Sequence, residues 1–448
     1  MRNLLVFSAI ILAGSLRITW GQPNNPDSDI LQSLTKSFLE SLAEKNFSAA
    51  TARFDETMLK VMPAEKLAAT WQGVVNSVGD YQSLTNYRHT SSGDYDIIIA
   101  DCKFAKKPLG VKVVFDKEQR IAGLFFIPAG TAKNYTPPAY ADQTSFAESP
   151  VTVGSTLWRL PGTLTIPNGP GKFPAVVLVH GSGPQDRDQT IGPNKPFKDL
   201  AWGLGSKGVI VLRYDKRTKT HRAKLLESKE PLTVKQETID DALQAVVRLR
   251  QHPSVDKNRI VIAGHSLGGY LIPRFHARDK KQTIAGYISL AGTTRTLEDL
   301  LIDQTTYILN LDGSLSDADQ EHLTQLQTEV ARVKNIDLTN KQDISPILGV
   351  PSSYWIDLHG YRPAHLARKI TKPLLFLQGE RDYQVTMADF QNWQESLVEK
   401  EHVRLKTYPQ LNHLFIPGNG KSTPAEYETA GNVSSQVIED IAAWIDQL

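Results

Sequence analysis

Arg259-Ile260-Val261-Ile262-Ala263-Gly264-His265-Ser266-Leu267-Gly268-Gly269 is the stretch on which the reading of this chain turns. Arg259–Ala263 is a short apolar, β-branched run of strand length. The residues after Gly269 can form a helix. A serine between glycines at such a junction predicts a nucleophile elbow: the glycines let the backbone turn sharply and pack closely, and the serine hydroxyl projects above the sheet. Five residues of this pattern occur often by chance; their place between a buried strand and a helix is what gives them weight.

A serine hydroxyl stays protonated at neutral pH, so Ser266 needs a base within hydrogen-bond reach. Behind such an elbow the chain order is serine, acid, histidine, each at the end of a later strand. Leu374–Leu377 reads as a strand running into Gln378-Gly379-Glu380-Arg381-Asp382, which makes Asp382 the candidate acid and Glu380 its rival. Val403–Tyr408 is the next strand, and His413, the last histidine of the chain, follows it. The oxyanion formed on attack needs donors fixed in advance. The Leu267 amide supplies one. The other is assigned to Ser182, in the loop His180-Gly181-Ser182-Gly183-Pro184 after the strand Ala175–Val179, with His180 bracing that loop.

Working outward, strand-like runs Ala175–Val179, Val209–Arg213, Arg259–Ala263, Ile284–Leu290, Leu374–Leu377 and Val403–Tyr408 alternate with helical segments. The pattern predicts an α/β fold with a mostly parallel sheet covered on both faces, spanning residues 143–448. Between about 291 and 371 the alternation stops and a charged, helix-rich insertion appears, placed to cap the carboxyl ends of the strands. Ahead of this lies a different grammar. Leu31, Leu34, Phe38 and Leu42 recur at helical spacing, and a second helix with Leu67, Trp71 and Val75 begins near Pro63. Tyr95–Cys102, Val111–Phe115 and Ile121–Phe126 then read as strands. Residues 29–128 are thus expected to form a small α+β domain of unknown role, and 129–142 a linker.

The first 21 residues read as a secretory signal peptide: Arg2, an apolar run from Leu4 to Leu16, and then Thr19-Trp20-Gly21, where small residues flank a candidate cleavage point. The expected destination is a periplasm or the exterior. Of 448 residues 40% are hydrophobic and 22% charged, and the formal charge is +2, all of it removed with Arg2 and Arg17. No long run of like charge is present, which argues against nucleic acid or an anionic membrane surface as partner. Cys102 is the only cysteine, so no intrachain disulfide exists, and a lone thiol is usually buried filler. No cluster has metal-ligand spacing and no glycine-rich loop suits a dinucleotide, so neither metal nor cofactor is expected.

Other residues invite a role and also admit a plain one. Asp186, Arg187 and Asp188 could line the mouth of a site or form an ion-pair network. Tyr214-Asp215-Lys216-Arg217 and His221 follow a strand end, where packing is the default and substrate positioning the alternative. Trp355 and Tyr361 in the insertion are candidate pocket walls, although aromatics at such spacing are also ordinary core.

Leu160-Pro161-Gly162-Thr163-Leu164-Thr165, His180-Gly181-Ser182-Gly183-Pro184-Gln185-Asp186-Arg187-Asp188, the elbow, and Gln378-Gly379-Glu380-Arg381-Asp382 together resemble bacterial carboxylesterases of the α/β-hydrolase family that carry an extra amino-terminal domain of unknown function. The resemblance runs from about Ile30 to the end. It implies hydrolysis of short to medium acyl or aryl carboxylic esters through an acyl-enzyme, with Ser266, Asp382 and His413 as triad and no cofactor. It also implies that the leading domain is the small α+β domain of that family, with a nuclear-transport-factor-like cone as one form open to it. Prolyl-oligopeptidase relatives share the elbow and the triad order, so a peptidase or acyltransferase is the second reading. A non-catalytic envelope-binding protein is the third. The natural ester and the oligomeric state are not legible.

Overall fold

The computed structural model describes residues 26–92, 95–128, 135–154, 156–228, 231–311, 313–339 and 346–448. The expected signal peptide lies outside them. The chain divides into two units at residues 133/134.

In the first unit the helices Pro26–Ala43, Phe47–Thr51, Glu56–Val61 and Ala64–Val78 precede an antiparallel sheet of β1 (Tyr81–Ser92), β2 (Tyr95–Phe104), β3 (Leu109–Phe115) and β4 (Ile121–Pro128), paired in chain order. The apolar stripe expected on the first helix is buried at Leu31, Phe38 and Leu42 and that on the last at Leu67 and Trp71; Leu34 and Val75 are only partly buried, and Val74 takes the core position beside Val75. Alternate residues of the middle strands, Ile98, Ala100 and Cys102 on β2 and Val111, Val113 and Phe115 on β3, join this core, as a sheet with one buried face requires. Cys102 has no exposed surface, and burial pushes its thiol up to about 12.

The second unit holds an eight-stranded sheet: β5 (Phe146–Val153), β6 (Leu160–Pro167), β7 (Phe173–Val179), β8 (Ile210–Tyr214), β9 (Val255–His265), β10 (Gly286–Leu290), then, after a two-stranded hairpin of β11 (Pro346–Ile347) and β12 (Val350–Pro351), β13 (Leu374–Gly379) and β14 (Val403–Tyr408). The spatial order is β14-β13-β10-β9-β7-β8-β6-β5. From β14 to β8 every neighbouring pair is parallel; β6 runs antiparallel to β8, and β5 to β6. Both faces are covered. On β7, Ala175, Val177 and Val179 enter one core with the helix Asp240–Arg250. Val176 and Leu178 enter the other with the helices Pro196–Gly205 and Ser435–Ile445. Full burial of each such valine or leucine side chain contributes about 1.5–3 kcal/mol against exposure. All six parallel strands read from the sequence are present.

The insertion between β10 and β13 contains the helices Leu297–Leu309, Asp317–Lys334, Ser352–Leu358 and Pro363–Ala367. Its first helix lies on the carboxyl end of β13. Tyr307 stacks on Tyr383 with ring centroids 5.1 Å apart, and Gln304 Nε2 donates to the Gln384 carbonyl at 3.0 Å. The stretch read as a linker is, from Tyr135 onward, packed into this unit: the Tyr135 hydroxyl donates to Asp199 at 2.8 Å and the Tyr140 hydroxyl to the Val433 carbonyl at 2.8 Å.

Candidate active site

β9 delivers Ser266 at its carboxyl end in a conformation that L-residues rarely adopt, φ 53° and ψ −112°. Such strain costs on the order of 1–3 kcal/mol and persists only where the surroundings enforce it. They do so here through three glycines that are needed for space. A Cβ on Gly264 would lie 2.2 Å from the Gly268 carbonyl, one on Gly268 would lie 2.4 Å from the Val179 carbonyl, and one on Gly269 would lie 2.7 Å from Ser289 Oγ. The Ser266 amide is tied to the Leu290 carbonyl at 2.8 Å, and Leu267 opens the helix Leu267–Tyr270, where first-turn amides lack intrahelical partners.

Asp382 and His413 meet just beyond the carboxyl ends of β13 and β14. His413 Nδ1 stands 2.6 Å from Asp382 Oδ2, with both side chains buried. Asp382 is held as a carboxylate acceptor by the amides of Gln384 and Val385 at 2.8 and 3.0 Å and by Gln378 Nε2 at 3.2 Å. Asn412 Oδ1 accepts the amides of Leu414 and Ile416 and so shapes the turn that presents the imidazole. The rival Glu380 takes the Thr407 hydroxyl at 2.7 Å on the exposed side. The ring of His265, next in sequence to Ser266, lies 4.6 Å from that of His413. No hydrogen bond joins Ser266 to His413 among the described residues.

The loop after β7 sits against the serine: a Cβ on Gly181 would stand 3.1 Å from that of Ser266. His180 braces it as expected, donating through Nε2 to the Asp186 carbonyl at 2.9 Å with its ring against Phe197 and Tyr214. Burial, and then the charge of Lys216, lower its pKa to about 3. Of the acids and arginine after this loop, Arg187 and Asp188 form ion pairs, as in the plain reading, while Asp186 shapes the local turn. Asp186 accepts the amides of Asp188 and Thr190, Arg187 forks onto Asp215, and Asp188 pairs with Arg213 and Lys195. Farther along, Arg217 pairs with Asp241 and His221 bonds the Arg159 carbonyl, whereas Lys216 is buried with Nζ 2.9 Å from the Gly181 carbonyl.

A connection that sequence reasoning missed runs from base to oxyanion loop. His265 Nε2 donates to the His413 carbonyl at 2.8 Å; its Nδ1 accepts from Gln189 Nε2 at 2.8 Å; Gln189 Oε1 accepts the Gly181 amide at 3.2 Å. Only a neutral imidazole carrying its proton on Nε2 fits both bonds. Burial, and then the neighbouring His413, hold His265 in that state by lowering its pKa to about 3. Nothing in the sequence pairs Gln189 with His265, 76 positions on; only the fold does.

Trp355 and Tyr361 are engaged in packing. Trp355 donates through Nε1 to the Ile347 carbonyl at 2.8 Å within a small cluster of the insertion. Tyr361 donates to the Tyr270 carbonyl at 2.9 Å, its ring edge-on to Tyr270. These contacts are those of core aromatics. Among the described residues no group of His, Cys, Asp or Glu could hold a metal ion, and no helix is long and apolar enough to cross a membrane.

Residues 35–124 match a protein family of unknown function, DUF3887, and residues 201–430 match the prolyl oligopeptidase family. Esterase EstD of Thermotoga maritima is 39% identical over 414 residues, covering 91% of this chain and 93% of its own. Solved structures with similarity include Est1E from Butyrivibrio proteoclasticus (17% identity, TM-score 0.43, 67% of this chain and 99% of that one) and an esterase of Pyrococcus furiosus (17%, 0.40, 70% and 99%). The chain therefore belongs to the prolyl oligopeptidase family, as a hydrolase of the α/β-hydrolase fold carrying a DUF3887 domain ahead of its sheet.

Proposed function

We propose that this hydrolase is a serine carboxylesterase acting on short to medium acyl or aryl esters. The observation that carries the reading is the buried 2.6 Å contact between His413 and Asp382; it is supported by the strained elbow at Ser266, whose sequence neighbour His265 has its ring 4.6 Å from that of His413. In this mechanism His413 Nε2 takes the proton from Ser266 Oγ as that oxygen attacks the ester carbonyl carbon. The amides of Leu267 and Ser182 receive the negative oxygen. Collapse breaks the bond to the alcohol oxygen, which leaves with the proton from His413. Water, deprotonated by His413, then cleaves the acyl-serine and restores the enzyme. Asp382 fixes the imidazole with its proton on Nδ1 and stabilises the cation formed in each half-reaction. The serine–imidazole hydrogen bond is one that tightens when substrate is bound.

A peptidase using the same groups is the second reading, favoured by the family to which residues 201–430 belong. One panel separates the two: aryl esters of increasing acyl length beside aminoacyl arylamides, with wild type and Ser266→Ala. The esterase reading expects ester turnover to exceed amide turnover and to fall by about 10⁵–10⁶ in the variant. Ester turnover unchanged in Ser266→Ala rejects the mechanism, and faster arylamide cleavage selects the peptidase.

A further inference from the structure

The Gly181–Ser182 peptide joins two groups with opposite tasks. The bond is trans, so the Gly181 carbonyl and the Ser182 amide point in opposite directions, and fixing one fixes the other. Glycine imposes little restraint of its own on the peptide that follows it. The carbonyl is held instead by Lys216 Nζ at 2.9 Å. Lys216 is 1% exposed, and its ammonium also meets Glu237 Oε1 at 3.2 Å. Glu237 is itself buried in the single π-helical turn Lys235–Ile239, where it accepts the hydroxyls of Thr218 at 3.1 Å and Tyr354 at 2.9 Å.

A buried ion pair is weak grounds for stability, since apolar residues of like volume often serve as well. What such residues could not do is grip the Gly181 carbonyl. We infer that Lys216 is a positioning residue of the oxyanion site: it draws the Gly181 carbonyl toward the buried Glu237 and so turns the Ser182 amide toward the oxygen that becomes negative. A charged donor on the carbonyl also polarises the same peptide and strengthens its amide as a donor. The Gln189 bond to the Gly181 amide fixes the preceding peptide, so Lys216 and Gln189 between them hold both sides of the residue facing Ser266. The inference rests on the serine-hydrolase reading above.

The test compares wild type, Lys216→Met, and the charge-balanced double variant Lys216→Met/Glu237→Gln, in which the side-chain amide oxygen replacing the carboxylate still accepts from Tyr354. Rates with a p-nitrophenyl ester are counted per serine titrated by a fluorophosphonate, so unfolded protein does not enter. A trifluoromethyl ketone, which forms a tetrahedral oxyanion on the serine, reports on the hole itself. The double variant is expected to recover the thermal midpoint while kcat stays down by about 10²-fold, KM stays within threefold, and the inhibition constant of the ketone rises by the same factor as kcat falls. A double variant with kcat and ketone affinity within threefold of wild type overturns the inference. If it does not fold, Lys216→Met alone decides on the same two readouts. Ser266→Ala is run alongside: undiminished turnover there would remove the serine-hydrolase reading and this inference with it, whereas its loss leaves the Lys216 result to stand or fall alone.

Discussion

Gly379, the last residue of β13, keeps the acid and the base together, and alanine at this position should separate them. A Cβ there would lie 2.4 Å from the Leu411 carbonyl oxygen and 2.8 Å from that of Asn412, both backbone atoms. Van der Waals contact requires a retreat of about 1 Å. The segment that must move leads directly into His413, whose bond to Asp382 is 2.6 Å; lengthened by that amount it passes beyond hydrogen-bonding range, roughly 3.2 Å. Misplacement by about 1 Å commonly lowers rate ~10²-fold, and overpacking costs about 1–3 kcal/mol of stability. Gly379→Ala should therefore show kcat for p-nitrophenyl butyrate reduced about 100-fold per folded protein, with a lowered thermal midpoint. Gly208→Ala is the control: φ is +83° with nothing within 4 Å of the new Cβ, so it should lose about 1–2 kcal/mol to backbone strain and keep its rate. A Gly379→Ala enzyme within threefold of wild-type kcat would refute the view that this close approach sets the acid–base geometry.

Asp382→Asn should lower kcat by about 10⁴ with little change in KM, because an amide no longer stabilises the imidazolium or selects its tautomer; steady-state kinetics from pH 6 to 9 checks this, and a loss under tenfold contradicts it. His265 is held neutral at about 3 when folded, against 6.5 for the free group. The unfolded chain takes up this proton first, so the stability it confers is whole above pH 6.5 and declines as pH falls toward 3. The unfolding free energies of wild type and His265→Gln, from urea titrations, should converge by about 1.4 kcal/mol per pH unit on acidification through that window; a constant gap would contradict it. Cys102 has no exposed surface and its thiol is pushed up to about 12, so a thiol reagent should label it only in denaturant and leave ester turnover untouched. If residues 1–21 are a signal peptide, mass spectrometry of exported protein should find a mature amino terminus close to Gly21; an intact Met1 on exported protein would exclude that cleavage.

Much of the sheet was legible because its parallel strands are buried on both faces and read as near-continuous apolar runs: Ala175–Val179 and Leu374–Leu377 have no exposed residue. β1 was not, because an edge strand composed of Gln82, Ser83, Thr85, Asn86, Arg88 and His89 lacks an apolar alternation; its pairing with β2 makes it a strand. The acid and histidine could be read from chain order and strand ends, and the Asp382–His413 contact is present at those positions. The role of Gln189, the tautomer of His265 and the Lys216–Gly181 contact were not readable, since each depends on a partner brought near only by the fold. For Trp355 and Tyr361 helical spacing of aromatics does not distinguish a pocket wall from core; their hydrogen bonds go to the Ile347 and Tyr270 carbonyls.

The most direct measurement is rapid acid quench of the wild-type enzyme during turnover of a p-nitrophenyl ester, followed by intact-mass and peptide analysis. The serine mechanism predicts an acyl group, at most one per chain, on the peptide containing Ser266, formed with a burst of p-nitrophenol and missing from Ser266→Ala. Sustained hydrolysis by Ser266→Ala at the wild-type rate, or an acyl group carried on another residue, would contradict it.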